Sequence, residues 1–326
     1  MNEFSMHFNR LPQFRVSRSA GALNIKRGDK MTGIPLFCKS YHQDVLRVRH
    51  LMESIEQFNT DKQPVFISVP QIDRPLFLNK IGSGRCEWLS DEDIFSANPA
   101  MSGIDMQQED PRILQQVIKS EFWRVNESPV YLCMDSDSLF IRPFYASDFL
   151  AGDGVPYTVL HQSKEFLQLA RNHGKNKIAA HYRKDSALGK SIFSRTGLDY
   201  DFGPTPVIWS AQVWRELADK YLAPCGMSFL DAIKQFPAEL RWYGEALLAY
   251  QSIPLRPIEP LFRVYHTDWQ YFAQRKMGET IEKLRENYLG VVMQSNWQYE
   301  MDYGEPDKSI LSRTARKVRR QLARFT

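Results

Sequence analysis

Val130-Tyr131-Leu132-Cys133-Met134 is the clearest buried strand in the chain, and it runs straight into Asp135-Ser136-Asp137; Leu139-Phe140-Ile141 follows at once and Pro143 closes the segment. What precedes it sets the fold class. Ile34-Pro35-Leu36-Phe37-Cys38 is a short apolar run of strand type. Val45, Val48, Met52 and Ile55 then recur at three- and four-residue steps, with Leu51 and Phe58 beside them, which predicts an amphipathic helix. Val65-Phe66-Ile67-Ser68-Val69 is a second strand, ended by Pro70. Strand, helix and strand in this order make a βαβ unit, so the sheet is expected to be parallel with a right-handed crossover.

The alternation continues along the chain. Cys86-Glu87-Trp88-Leu89 reads as a third strand, and Asp110-Pro111 as the start of a helix carrying Ile113, Leu114, Val117, Ile118 and Phe122 on its apolar side. Residues 163–200 are polar and basic, and are expected to form helical excursions or a substrate loop. Val207-Ile208-Trp209 predicts another strand, with Ser210 capping a helix that holds Val213, Trp214 and Leu217. Further helices are expected over 239–250 and 279–289, the latter stopped by Gly290.

With 326 residues the chain can bury a full core. The net charge of +4 is too weak to argue for a nucleic-acid binder, and no nucleic-acid module or aromatic ribonucleoprotein motif supports one. Cys38, Cys86, Cys133 and Cys225 lie far apart without zinc spacing, and Cys38 and Cys133 sit inside apolar runs. They read as core residues of a reducing compartment. No apolar stretch suggests a signal peptide or a bilayer-crossing helix, so a cytoplasmic location is expected. The tail from Ile310 to Phe325 interleaves apolar positions with six arginines and lysines, the pattern of a helix lying on an anionic membrane surface.

An Asp-x-Asp triplet alone is a weak signal, and the chain holds two others, Asp91-Glu92-Asp93 and Asp199-Tyr200-Asp201, both in polar surroundings that suit caps or solvated loops. Asp135-Ser136-Asp137 differs by following a strongly apolar strand, where open parallel sheets place their ligand sites. Carboxylates one residue apart at a strand exit can both reach a small hard cation. Such a cation bridges the phosphates of a nucleotide diphosphate and neutralises charge as the sugar–phosphate bond breaks.

At this point the residues resemble GT-A glycosyltransferases. More narrowly, the chain resembles a bacterial family of GT-A-like proteins long catalogued as a domain of unknown function. The resemblance covers residues 34–265 and rests on Gln115-Gln116-Val117-Ile118-Lys119, Asp135-Ser136-Asp137, Phe140-Ile141-Arg142-Pro143-Phe144, and Glu239 with Tyr243-Gly244; Ala238-Glu239-Leu240 stands where Ser-Glu-Tyr is expected. It implies a Rossmann-type, mostly parallel sheet flanked by helices. It also implies a UDP- or GDP-sugar donor, a glycan or glycolipid acceptor of the bacterial surface (lipopolysaccharide, O-antigen or capsule), and Mn²⁺ or Mg²⁺. Residues 1–30 would be a basic extension, 31–300 the transferase domain (31–150 for the donor, 151–300 for the acceptor), and 301–326 the basic tail, peripheral at the inner face of the membrane.

The metal would sit on Asp135 and Asp137, with His266 as third ligand or Asp268 in its place. Lys39, Ser40, Tyr41, Gln115, Lys119, Asp135 and Ser136 are expected around the donor. Glu239 or Glu245 would face the acceptor hydroxyl or the sugar. Trp209 and Trp242 read as core residues. A nucleotidyltransferase, a nucleotide-sugar hydrolase and a non-catalytic nucleotide- or glycan-binding protein are the competing readings of the same sheet and acidic site.

Overall fold

The apolar runs become the strands of three sheets in the computed structural model, which describes residues 33–298, 301–303, 314 and 318. The strands are β1 (Leu36–Lys39), β2 (Val65–Val69), β3 (Glu87–Ser90), β4 (Val130–Asp135) and β5 (Ser138–Phe140), then β6 (Thr158–Val159), β7 (Val207–Ser210), β8 (Pro257–Ile258), β9 (Phe262–Tyr265) and β10 (Gly290–Met293). The main sheet has the order β3-β2-β1-β4-β7 and is parallel except for β7, which runs antiparallel to β4. A smaller sheet has the order β5-β10-β9, and β6 pairs with β8. The basic N-terminal extension lies outside the described residues, as does the C-terminal tail except for helical, exposed Thr314 and Val318.

Helices cover both faces of the main sheet. In chain order they are α1 (Val45–Phe58), α2 (Arg74–Ile81), α3 (Asp91–Ser96), α4 (Pro111–Glu121), α5 (Lys164–Asn172) and α6 (Asn176–Ile192), then α7 (Ala211–Leu217), α8 (Phe229–Gln235), α9 (Glu239–Tyr250), α10 (Asp268–Lys276) and α11 (Ile281–Asn287). Strand alternation divides the core in two. Tyr131 and Cys133 of β4 face a cluster with Val117 and Ile118 of α4, Trp214 of α7 and Trp242 of α9. Leu132 and Met134 face the opposite cluster, with Val48, Leu51 and Met52 of α1. A strand enclosed on both sides must be apolar at every position, which is why 130–134 reads as an unbroken run. Trp209 and Trp242 are core, as expected, and all four cysteines are unpaired, with Cys38 and Cys133 fully buried.

The mostly parallel sheet flanked by helices is the architecture the sequence predicts, and several boundaries coincide. Asp110 caps α4 by accepting from Arg112 N, Ser210 caps α7 by accepting from Gln212 N, and residues 163–200 contain α5 and α6. Several elements differ from expectation: α3, α8 and α10 form where the sequence predicts no helix, and two further differences have a plain cause. Residues 74–81 form α2, whose only buried positions are Phe77 and Ile81, a stripe too short to register as periodicity. Gly290 does follow a helix, but its place is fixed by β10. A Cβ there would come within 2.0 Å of the Phe262 ring and 2.4 Å of Leu139 O, so only glycine lets β9, β10 and β5 close up.

Candidate active site

The carboxyl ends of β1 and β4 lie side by side, with Lys39 paired in register with Asp135. Both strands end on polar residues over the same edge of the sheet, and the chain leaves each in a turn. The result is a polar cleft of about 300 Å³, lined by Lys39, Ser40, Tyr41, Asp44, Gln115, Asp135, Ser136, Asp137, Gln294, Ser295 and Asn296. Of the expected site residues, the structure brings Lys39, Ser40, Tyr41, Gln115, Asp135, Ser136 and Asp137 together here. Asp44 and the 294–296 turn were not anticipated: the first was hidden at the start of an amphipathic helix, and the second follows a strand the sequence did not show.

Most charges in this region are matched. Lys39 Nζ lies 2.6 Å from Asp91 Oδ2, and Ser68 Oγ donates to the other oxygen of Asp91. Asp91, expected to cap or to sit in a solvated loop, is therefore buried and holds the lysine. Arg47 donates to Asp44 Oδ1 (2.6 Å), whose Oδ2 accepts from Ser136 Oγ (2.9 Å). Lys119 Nζ stands 2.6 Å from Asp135 Oδ1 and 3.1 Å from Glu239 Oε1. Asp135 Oδ2 also accepts from Thr205 Oγ1. Burial pushes Asp135 up, but the Lys119 charge and the hydrogen bonds from Lys119 and Thr205 outweigh it and hold the carboxyl below the usual range.

Asp137 is different. Its Oδ2 accepts from Ser295 N (2.9 Å), while its Oδ1 is buried without a protein partner, as are Ser40 Oγ and Ser138 Oγ nearby. Burial, then the Asp135 charge, push Asp137 up to about 7. A buried carboxylate oxygen left unpaired beside a second carboxylate is costly unless a cation arrives. All the donors on offer are hard oxygens, which fits Mg²⁺ or Mn²⁺.

Five expected residues stand elsewhere. Lys119, placed by periodicity on the polar side of its helix, is buried, and its ammonium is occupied by Asp135 and Glu239 instead of lining the cleft. Glu239 begins α9, and its backbone N donates to Gln116 Oε1 (3.3 Å). The Gln-Gln-x-x-Lys and Glu-x-x-x-Tyr-Gly segments are thus two halves of one contact, and Glu239 is engaged by a lysine. Glu245 is fully buried, with both oxygens held by Arg195, and it does not line the cleft. His266 does not join the carboxylates. Its ring lines a neighbouring cavity and bonds to Gln294, which stands between it and the cleft. Among the described residues no three His, Cys, Asp or Glu side chains converge as a metal cluster, and Asp268 opens α10 behind its cap Thr267, with Oδ1 accepting from Trp269 N.

The Tyr243-Gly244 pair proves architectural. Tyr243 OH accepts from Ser210 N (2.8 Å), and a Cβ at Gly244 would fall 2.0 Å from the Phe202 ring. The glycine lets Phe202 lie against α9 and so seats the turn carrying Thr205 onto Asp135.

Fold and site together define an α/β protein with a mostly parallel sheet and a carboxylate-lined cleft at its strand ends. The chain belongs to DUF6492, a family of unknown function, whose sequence profile matches residues 31–298. No curated protein matches it. Among solved structures it is similar to the apo bifunctional glycosyltransferase WbbM, at 11% identity and TM-score 0.46, covering 83% of this chain and 48% of that one. It is also similar to the galactosyltransferase LgtC in complex with donor and acceptor sugar analogues (11%, 0.44, covering 90% and 95%), and to apo mouse xyloside xylosyltransferase 1 (10%, 0.44, covering 81% and 98%). The chain thus spans about half the length of WbbM.

Proposed function

We propose that this chain is a metal-dependent glycosyltransferase of GT-A type, moving a sugar from a nucleotide-diphosphate donor to a hydroxyl of a bacterial surface glycan. The observation that carries the reading is Asp137 Oδ1, a buried carboxylate oxygen with no protein partner at the mouth of a polar cleft. Asp137, with Asp135 beside it, would hold Mn²⁺ or Mg²⁺, which supplies charge neutralisation for a leaving diphosphate. Ser40, Tyr41 and Gln115 line the cleft where the nucleotide would lie. Lys119 and Glu239 act from beneath. By balancing Asp135, Lys119 leaves Asp137 as the carboxylate that needs a counter-charge. His266 stands behind Gln294 and is not assigned to the metal. The basic tail would hold the enzyme at the inner membrane surface.

Thermal-shift titration with UDP and GDP, each with Mn²⁺, Mg²⁺ or EDTA, tests this on the wild type and on Asp137→Asn. Stabilisation by one nucleotide that needs metal and disappears in the variant supports the reading. A nucleotide shift that persists in EDTA, or equally in Asp137→Asn, refutes it. Release of UDP or GDP from a nucleotide sugar at the same rate with and without an acceptor glycan would make the protein a hydrolase instead.

A further inference from the structure

A second and larger cavity, of about 590 Å³, backs onto the cleft. One partition is the turn at 203–205: His161 Nε2 contacts Gly203 O (2.6 Å), Pro204 faces the second cavity, and Thr205 reaches through to Asp135. The other partition is the pair formed by His266, in the second cavity, and Gln294, in the first. A ligand in the larger space therefore lies one side chain away from the carboxylates.

The wall chemistry selects the ligand. Glu165, Asp201 and Glu259 line the cavity against Lys164 and Arg263. Arg263 is already committed, with its guanidinium 2.8 Å from Glu165 and 3.0 Å from Glu279. With carboxylates in excess and the buried cation spoken for, the cavity disfavours phosphates and acidic sugars. Burial also pushes His266 below the usual histidine range, so the imidazole adds no positive charge near neutral pH. The apolar part is aromatic: Phe166 packs on His266 (4.9 Å between centroids) and stacks on Trp269 (6.4 Å), leaving a ring edge or face for C–H groups.

Asp201 is held firmly in the cavity wall. Its backbone pairs with His161 in both directions, and Ser163 Oγ donates to its Oδ2 (2.6 Å). Ser163 stands at φ 50°, a left-handed conformation that disfavours a non-glycine residue. The Phe202 ring seated against Gly244 fixes the same turn. A wall with a slight carboxylate excess, a stacking ring, and carboxylate and imidazole acceptors are the means of gripping a neutral polyol.

We propose that this second cavity binds a neutral, hydroxyl-rich saccharide, the acceptor of the transferase reaction, with Phe166 as stacking face and Asp201 as hydrogen-bond acceptor. The acceptor role rests on the functional reading above; the binding of a neutral saccharide does not.

The test presents the full chain with uncharged methyl glycosides of glucose, galactose, mannose and N-acetylglucosamine, and with methyl glucuronide, at millimolar concentration under saturation-transfer NMR. UDP and GDP with Mn²⁺ are read separately by thermal shift. At least one neutral glycoside should bind, with affinity lowered about tenfold or more in both Phe166→Ala and Asp201→Asn. Both variants should keep the nucleotide shift of the wild type, which also reports that they are folded. Asp137→Asn should show the reverse, keeping the glycoside and losing the nucleotide. No neutral glycoside binding, tighter binding of the glucuronide, or equal binding by wild type and both variants overturns the proposal. Glycoside binding lost in the two variants without any nucleotide shift sustains this site while removing the transferase reading.

Discussion

At the scale of single residues, the site is built from a difference between two aspartates one position apart. Asp135 is neutralised by Lys119 and held by Thr205; Asp137 has one oxygen on Ser295 N and one on nothing. Asp137 is pushed up to about 7 in the fold, while an aspartate in an unfolded chain titrates near 3.9. Below both values the two states bind the same proton and no stability difference arises. Between them the folded state keeps a proton the unfolded state has lost, so stability falls as pH rises from about 4 to 7 and stays at the lower level above. Asp137→Asn keeps the shape without the charge. At pH 8 in EDTA it should melt at least about 2 °C above wild type, a gap that closes towards pH 4, while metal-dependent nucleotide binding is lost. A variant that melts lower at pH 8 would mean the carboxylate has a cationic partner in the fold. Lys119→Met breaks the adjoining buried charge cluster and should destabilise by about 3–5 kcal/mol in urea denaturation, because Asp135 and Glu239 lose their shared partner. The pairing was not visible in the sequence. Periodicity assigned Lys119 to a helix face, and whether that face meets water or another helix depends on residues 120 positions away.

At the scale of elements, the legible parts are those whose pattern is local. Val130–Met134 sits between two cores, so every position is apolar and the strand is plain in the sequence. Asp135 to Asp137 were legible for the same reason, being the polar residues at which that run stops. Strand β10 was hidden because it begins at a glycine that also ends a helix pattern, and with it went the 294–296 side of the cleft. Helix α9 was legible in extent but not in purpose. Glu239 reads as a candidate catalytic acid and Tyr243-Gly244 as part of the same motif, and the structure places them against Lys119, Ser210 N and the Phe202 ring. Gly244→Ala should therefore destabilise by about 1–3 kcal/mol, since the new methyl group has to displace an aromatic ring. Pairing it with Phe202→Ala should recover part of that loss in a double-mutant cycle. Additive effects would show that ring and glycine do not touch.

At the scale of the whole molecule, the two ends of the described fold meet beside the site. Arg47 on α1 donates to Asp44, to Gln298 O (2.6 Å) and to Asp302, across more than 250 residues, and Tyr303 N donates to Gln43 O (2.9 Å). Asp44 in turn accepts from Ser136, which lies between Asp135 and Asp137. A continuous hydrogen-bonded path thus runs from residue 302 through Arg47 and Asp44 to the cleft, and Gln298, which Arg47 holds by its carbonyl, follows closely on the 294–296 turn that lines the cleft. Sequence could not show this path, because the arginine lies within an amphipathic helix, where it reads as a solvated residue. Arg47→Met keeps the aliphatic packing but removes every one of these bonds and strands the buried Asp44 without its cation, a change worth about 3–5 kcal/mol. The consequence is specific in place. Limited proteolysis should cut within 294–298 sooner than in the wild type, and nucleotide affinity with Mn²⁺ should fall at least about tenfold even at temperatures where the variant is fully folded. Arg256→Met, which removes an exposed pair with Asp153, should change neither quantity measurably. Loss of stability with intact nucleotide affinity would show that the Arg47 bonds to Gln298 and Asp302 brace the fold without shaping the site.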